Sequence, residues 1–229
     1  MIPKTIHYFW FGPKKKNRVI RKCIASWKKL NPDFEIIEWN ESNFDVNMNS
    51  YTQRCYREKK YAFLSDYARL WVVYKHGGVY LDTDVELIKP IDSLLNRHAF
   101  FAFENDNYVA SGLGFGSEAN SDVLKRMLKE YDFLQNDSES LIGCPILNTH
   151  ALETMGLEKN GQFQVLDNVE IYPKDWFNPY DMTREELNLT DNTLGIHWYA
   201  GSWLPWHKKL RRMFGKQIHI LKRKWSDRQ

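Results

Sequence analysis

The stretch Tyr61-Ala-Phe-Leu-Ser-Asp-Tyr-Ala-Arg-Leu-Trp-Val-Val-Tyr-Lys-His-Gly-Gly-Val-Tyr-Leu-Asp-Thr-Asp-Val85 leaves a folding chain few choices. Phe63, Tyr67, Leu70, Trp71 and Tyr74 recur at helical spacing, which predicts an amphipathic helix with an aromatic core face. His76-Gly77-Gly78 stops that helix, and Val79-Tyr80-Leu81 reads as a short strand that runs straight into Asp82-Thr83-Asp84. Two carboxylates at the carboxyl end of a strand stand where open α/β sheets present ligands. Carboxylates so close repel unless a cation joins them, and a hard divalent ion such as Mg²⁺ or Mn²⁺ suits oxygen ligands and also holds phosphate oxygens.

The flanking sequence extends the same architecture. Thr5-Ile-His-Tyr-Phe-Trp-Phe11 reads as a buried first strand, ended by Gly12-Pro13 and the loop Lys14-Lys-Lys-Asn17. Ile20, Cys23, Ile24, Trp27 and Leu30 then share a helix face, Asn31-Pro32 closes the helix, and Phe34-Glu-Ile-Ile-Glu-Trp39 is a second strand. A crossover of that length favours parallel pairing, hence an α/β fold with a mixed, mostly parallel central sheet flanked by helices. Residues 40–60 read as loop plus a short helix, and Glu86-Leu-Ile-Lys-Pro90 as a connection leaving the acidic loop. Ala99-Phe-Phe-Ala-Phe103 is another strand, ahead of Glu104 and the glycine-spaced Ser111-Gly-Leu-Gly-Phe-Gly116, which reads as a strand with tight turns rather than a phosphate loop. Ser121 is placed to cap a helix bearing Leu124, Met127, Leu128 and Tyr131, and residues 145–155 form another, stopped by Gly156. Gly195-Ile-His-Trp-Tyr-Ala-Gly-Ser-Trp-Leu-Pro-Trp206 gathers three tryptophans around His197.

At 229 residues, 43% hydrophobic and 27% charged, the chain is sized for one substantial core and lacks the bias of a disordered or fibrous protein. Cys23, Cys55 and Cys144 are widely spaced with no CxxC pairing, which suits a reducing compartment. No charged-then-apolar leader opens the sequence, and no apolar run approaches the ~20 residues of a membrane span, so the expected location is cytoplasmic. The net charge of +3 is uneven: from Lys208 onward nine Lys or Arg face one acid, Asp227, and apolar residues are interleaved with them. We therefore expect a main domain over residues 1–206 and a basic helical tail over 207–229, the latter suited to peripheral contact with an anionic membrane at its inner face.

Three groups of residues leave two readings each. Asp82 and Asp84 are either a solvated turn or an ion site. Asp66 and Arg69, at i and i+3, are either a helix ion pair contributing a few tenths of a kcal/mol or a recognition pair for hydroxyls and phosphate oxygens, to which the guanidinium fork is fitted. His197 is either a satisfied core histidine or a third metal ligand arriving from a distant part of the chain.

The blocks Ile2-Pro-Lys-Thr-Ile-His-Tyr-Phe-Trp-Phe-Gly12, Ser65-Asp-x-x-Arg69, Gly77-Gly-Val-Tyr-Leu-Asp-Thr-Asp-Val85 and the late segment from His197 to Ser202-Trp203 resemble the glycosyltransferases of family 32. That family includes fungal outer-chain mannosyltransferases and bacterial capsule or lipopolysaccharide sugar transferases, and the catalytic domain of the large clostridial glucosylating toxins is similar in the same blocks. The resemblance implies a GT-A fold, a nucleotide-sugar donor with a preference for UDP, a Mn²⁺ or Mg²⁺ cofactor, a saccharide or lipid-linked saccharide acceptor, and retention of anomeric configuration. It implies donor binding by Trp10, with His7 and Phe9 beside it, and by Ser202 and Trp203 over the diphosphate. Asp66 and Arg69 would hold the donor sugar or ribose, Asp82 the ribose or the ion, and Asp84 and His197 the ion, with Asp66, Arg69, Asp82 and Asp84 forming the catalytic set. Where the family often has Gly-Pro, this chain has Gly143-Cys-Pro145.

Two other classes remain open on the residues alone. Asp82-Thr-Asp-Val85 also fits the Asp-x-Asp-x-Val signature of aspartate-nucleophile phosphatases, although that motif normally follows a first strand and a later Gly-Asp-x-x-x-Asp segment is missing here. The basic tail alone would suit a non-catalytic module for anionic surfaces, while no nucleic-acid partner is expected.

Overall fold

Successive side chains of a strand face opposite sides of the sheet, and in this protein that alternation divides the interior into two cores. A computed structural model describes residues 1–136, 141–182 and 184–201. In β1 (Thr5–Phe9), Ile6 and Tyr8 face one core and Phe9 the other. Helix α1 (Arg18–Leu30) begins at Asn17, whose side chain accepts from the Ile20 N–H at 3.0 Å, and buries Ile20, Cys23 and Trp27. It leads to β2 (Glu35–Trp39), parallel to β1 with Thr5 opposite Glu35 and Phe9 opposite Trp39.

Helix α2 (Ser50–Arg57) opens with a reciprocal Asn49–Thr52 capping box, and α3 (Tyr61–His76) follows. Gly77 ends α3 at φ +66°, a conformation that suits glycine; a Cβ there would also meet Pro3 Cδ at 2.9 Å. The chain passes into β3 (Gly78–Tyr80), a tight turn, and β4 (Val85–Leu87). Strands β5 (Ala99–Asn105), β6 (Tyr108–Val109) and β7 (Phe115–Ser117) precede helices α4 (Asp122–Lys129), α5 (Asp132–Asn136) and α6 (Cys144–Glu153). Then come β8 (Gln164–Leu166), β9 (Val169–Tyr172), β10 (Tyr180–Asp181), β11 (Glu186–Leu187) and β12 (Gly195–His197).

The main sheet has the order β2-β1-β3-β7-β5-β9-β8, with β6 attached to β5. Strands β1, β2, β3, β5 and β9 point the same way, and β6, β7 and β8 run against them. On one face Phe9, Tyr80, Phe101, Phe103 and Phe115 pack against α2, α3, α4 and α6; on the other, Ile6, Tyr8, Val79, Phe100 and Ala102 pack with Trp27 of α1. Met1–Tyr199 forms one compact unit, to which all these elements belong. The expected boundary at residue 206 and the tail 207–229 lie outside the described residues.

Several local expectations change. Strand pairing stops at Phe9, and Phe11 continues into the core as a buried side chain. Residues 85–87 form a strand, β4, where the sequence suggested only a connection. The glycine-spaced segment contributes the short β7, and a Cβ at Gly116 would lie 2.4 Å from Phe100 Cε1, so close packing of sheet against ring demands glycine there. Ser121 occupies the N-cap position of α4 but makes no side-chain cap, its hydroxyl instead accepting from Ser117 Oγ at 2.7 Å. All three cysteines are free and buried, and among the described residues no helix is long and apolar enough to cross a membrane.

Candidate active site

The acidic pair stands where β3 leaves the interior of the sheet. Rather than extending the strand, Asp82-Thr83-Asp84-Val85 closes a turn in which the Val85 N–H donates to Asp82 O at 2.9 Å. A turn serves better than a strand here, since it folds the two carboxylates toward one point. The indole N–H of Trp27 fixes the far side of the turn by donating to Val85 O at 2.8 Å.

β4 then pairs antiparallel with β12, setting His197 opposite Val85. The Trp198 N–H donates to Asp84 O at 3.0 Å, and the Trp198 indole donates to Glu86 Oε2 at 2.9 Å. This small ladder carries the histidine to the acids: His197 Nε2 lies 3.2 Å from Asp84 Oδ1, and one ligand atom each from Asp82, Asp84 and His197 fall within 4.8 Å of one another. His197 Nδ1 is buried without a hydrogen-bond partner, and the ring packs on Tyr199 at 4.0 Å between centroids. The Tyr199 hydroxyl donates to Glu104 Oε1 at 3.3 Å, so a further carboxylate backs the histidine. Two carboxylate oxygens and an imidazole nitrogen are a fitting donor set for Mn²⁺ or Mg²⁺, and three side chains leave positions for phosphate oxygens or water.

Beside this group lies a second, buried one. Arg69 Nη2 is 2.8 Å from Asp66 Oδ1 and 3.3 Å from Asp82 Oδ1, with the guanidinium only 3% exposed. Nε donates to the Ser65 carbonyl at 3.0 Å, Nη2 lies 3.1 Å from the Ser65 hydroxyl as well and Nη1 4.0 Å from Cys144 Sγ, while Cζ sits 4.9 Å from the Tyr80 ring centroid. Tyr80 donates to Asp82 Oδ1 at 2.8 Å, and the Cys144 N–H at the start of α6 donates to Asp66 Oδ2 at 3.3 Å. Asp66 and Arg69 are thus both an ion pair and the link that ties α3 to the acidic turn. Gly112 lets them meet: a Cβ there would lie 2.6 Å from Asp82 Oδ2 and 2.9 Å from Arg69 Nη1.

Burial pushes the Asp66 and Asp82 carboxyls up while Arg69 pulls them down, and Asp84 adds to the rise at Asp82. Burial opposes the charge on Arg69, yet Asp82 and Asp66 hold it firmly cationic. Burial likewise works against protonated His197, but the Asp84 carboxylate prevails and raises it. Three carboxyl groups, those of Asp66, Asp82 and Asp84, thus crowd the strand exit, and burial outweighs Arg69 at Asp66 and Asp82, leaving both above the usual carboxylate range.

Other sequence-derived residues are placed differently. Trp10 leaves β1 at the same sheet edge as Asp82, since β1 and β3 are parallel with His7 opposite Tyr80. Its indole donates to Lys14 O at 2.6 Å and Lys16 Nζ lies 5.3 Å above the ring. His7 and Phe9 are not brought to this edge. His7 Nδ1 accepts from the Trp39 indole at 3.1 Å, leaving Nε2 to donate to Gly77 O at 2.9 Å, so both ring nitrogens are spent inside the protein. Phe9 is 5% exposed among Phe11, Trp39, Phe44 and Tyr80. Ser202 and Trp203 lie outside the described residues. Phe177 stacks on Phe100 and Asn178 donates to Glu104 O, both scaffold contacts. Tyr80, Gly112, Glu104 and Tyr199 were missed by sequence reasoning. Tyr80 had a signal, standing two residues before Asp82, and so did Glu104, a carboxylate at the end of a predicted strand; Gly112 and Tyr199 had none that is local.

Fold and site together define the GT-A class of glycosyltransferases, and the chain is a glycosyltransferase. Residues 17–101, which include Asp66, Arg69 and the Asp82-Thr-Asp84 motif, match the family of glycosyltransferase sugar-binding regions containing a DXD motif. The resemblance to family 32 read from the sequence is borne out. An uncharacterized glycosyltransferase of Acanthamoeba polyphaga mimivirus is 25% identical over 236 residues, covering 96% of this chain and 91% of that protein. Inositol phosphoceramide mannosyltransferase 3 of Schizosaccharomyces pombe is 32% identical over 106 residues, 43% of this chain and 29% of the mannosyltransferase's length. Among solved structures, the PaToxG glycosyltransferase superposes with a TM-score of 0.57 at 19% identity, over 67% of this chain and 68% of that one, a likeness of fold. The transferase class displaces the phosphatase and binding-module alternatives.

Proposed function

We propose that this protein is a metal-dependent, retaining hexosyltransferase that moves a sugar from a nucleotide-sugar donor, with UDP as the nucleotide, to a saccharide or lipid-linked saccharide acceptor. The observation that carries the reading is the convergence of Asp82, Asp84 and His197 from two separate parts of the chain to within 4.8 Å. These three residues would hold Mn²⁺ or Mg²⁺, which would neutralise the charge gathering on the departing diphosphate.

The protein's own groups would do the rest. Trp10, partly exposed at the same sheet edge, offers a flat face to the nucleobase. Arg69, locked between Asp66 and Asp82, holds its charge fixed beside the donor without reorganising during transfer. Both Asp66 oxygens are engaged, one by Arg69 and one by the Cys144 N–H, and Asp82 Oδ1 accepts from Tyr80 and faces Arg69. Carboxylates so committed are poor nucleophiles, which supports attack by the acceptor hydroxyl on the face the diphosphate leaves, unlike the double displacement of retaining glycosidases. The mannosyltransferase relative is named for inositol phosphoceramide, which supports a lipid-linked acceptor. The setting we propose is bacterial surface polysaccharide synthesis, capsule or lipopolysaccharide, by a cytoplasmic enzyme.

The test is donor hydrolysis over a panel of nucleotide sugars, each with Mn²⁺, with Mg²⁺ and with chelator, for the wild type and Asp84→Asn. We expect release of one nucleoside diphosphate that needs metal and falls at least 100-fold in the variant. In parallel, Mn²⁺ should raise the wild-type Tm and leave that of Asp84→Asn unmoved; at a free concentration ~100-fold above Kd the stabilisation is ~2.7 kcal/mol. Full activity of Asp84→Asn, or turnover indifferent to chelator, would remove the metal from the mechanism.

A further inference from the structure

The outer face of α1 is a second charged surface, of opposite sign to the active site. Residues 14–29 carry eight Lys or Arg and no Asp or Glu. On the helix, Arg18, Arg21, Lys22, Lys28 and Lys29 fall at i, i+3, i+4, i+10 and i+11, a single stripe opposite the buried Ile20, Cys23 and Trp27. All five are exposed, as are Lys14 and Lys15 in the preceding loop. Lys22 is paired with Glu86 and Lys16 with Glu38. Among the described residues Lys14, Lys15, Arg18, Arg21, Lys28 and Lys29 take part in no ion pair with an acid.

The stripe borders a groove. A shallow depression of about 360 Å³ runs between α1 and the β1–β2 edge of the sheet, with Ile24, Ala25 and Ile36 as its apolar lining and Lys16, Arg21 and Lys28 around it. Tyr8 and Glu38 lie in it, but the Glu38 carboxylate is already engaged by Lys16 and the Tyr8 hydroxyl, and these pairings hold it ionised against its burial. Val19 stands 43% exposed beside Arg18. Arg21 and Lys28, without an acid partner and set beside apolar surface, fit a partner that offers many phosphates and, just behind them, hydrocarbon. A flat helical stripe without an exposed aromatic residue of its own gives bases nothing to stack on, which disfavours single-stranded nucleic acid.

We propose that the outer face of α1, with the loop at residues 14–16 and the groove beside it, is a docking surface for an anionic lipid bilayer. This surface shares no residue with the acidic site or with residues 207–229. Trp10 donates to Lys14 O, so the loop that would touch the headgroups also forms the rim of the active-site edge, and docking would bring that edge to the membrane.

The experiment is co-sedimentation of the full chain with vesicles of phosphatidylcholine alone and of phosphatidylcholine with 30% phosphatidylglycerol, an anionic fraction of roughly the range that gives biological leaflets their negative surface potential. A variant carrying Arg18→Gln, Arg21→Gln, Lys28→Gln and Lys29→Gln leaves the tail intact; Arg21→Gln with Lys28→Gln is the milder companion should the quadruple variant unfold, as judged by thermal melting. We expect binding to anionic vesicles only, weakened by added salt, and reduced at least tenfold in the quadruple variant and severalfold in the double. Undiminished binding by a folded variant would overturn the proposal by assigning attachment elsewhere. So would equal recovery on neutral vesicles, absence of vesicle binding, or binding to soluble polyphosphate without binding to vesicles.

Discussion

His7 makes the fold acid-sensitive in a way that can be isolated. Its ring lies 1% exposed in β1, accepting from Trp39 through Nδ1 and donating to Gly77 O through Nε2. Protonation would place a second N–H against the indole donor, inside the protein. Burial accordingly lowers the pKa from 6.5 to about 4, with the neighbouring His76 assisting and the Gly77 hydrogen bond opposing. Because the folded pKa lies below the unfolded one, the unfolded chain takes up a proton first as pH falls. The stability held at pH 7.5 therefore declines through the window from 6.5 down to about 4 and levels off below it. A difference of 6.5 − 4 at ~1.4 kcal/mol per unit gives about 3 kcal/mol in all, of which about 2 kcal/mol is gone by pH 5. Other groups titrate in the same range, so the comparison must be with a variant that cannot protonate. Urea unfolding of the wild type and His7→Gln at pH 7.5, 6 and 5 should show the variant less stable at pH 7.5 and the gap closing by about 2 kcal/mol at pH 5. Parallel pH curves for the two proteins would refute the reasoning and would mean that the folded ring accepts a proton as readily as the unfolded one.

Two further substitutions probe the active site from within. Arg69→Met removes the counterion of two buried carboxylates, Asp66 and Asp82, and should cost about 3–5 kcal/mol in urea unfolding at neutral pH; a loss under 1 kcal/mol would mean the pair is solvated. Gly112→Ala brings a methyl group to 2.6 Å from Asp82 Oδ2 and should displace that carboxylate, lowering kcat/KM for donor hydrolysis at least tenfold, or ~1.4 kcal/mol. Unchanged kcat/KM in that variant would show that Asp82 has room to move.

What the sequence disclosed was local. The β1–α1–β2 unit, α3 and its glycine stop, and the strand that ends at the acids each follow from periodicity and punctuation within some twenty residues, and the structure keeps them with shifts of a residue or two. His7 and Phe9 went astray because proximity in sequence to Trp10 is a poor guide within a strand. Pairing continues through Phe9 and both side chains remain among core groups, whereas Trp10 stands just past the last paired residue.

The rest of the site was illegible for a different reason: it is made by contacts whose partners are far apart in the chain. Whether His197 is a core histidine or a ligand depends on β4 and β12, two strands of three residues each, too short for alternation to reveal either of them. Once they pair, with His197 opposite Val85, the imidazole has nowhere to go but beside Asp84. The ambiguity at Asp66 and Arg69 dissolves in the same way. Spacing at i and i+3 describes a surface ion pair as well as a binding pair, and what decides is that Asp82 and the Cys144 N–H close on them from the turn after β3 and from α6, burying the guanidinium. An exposed pair of this spacing would be worth a few tenths of a kcal/mol, whereas a buried one becomes indispensable because neither charge can be left alone. The same residues therefore bind the acidic turn into the core and hold its charge in place, which is why the site and the fold cannot be perturbed separately at Arg69.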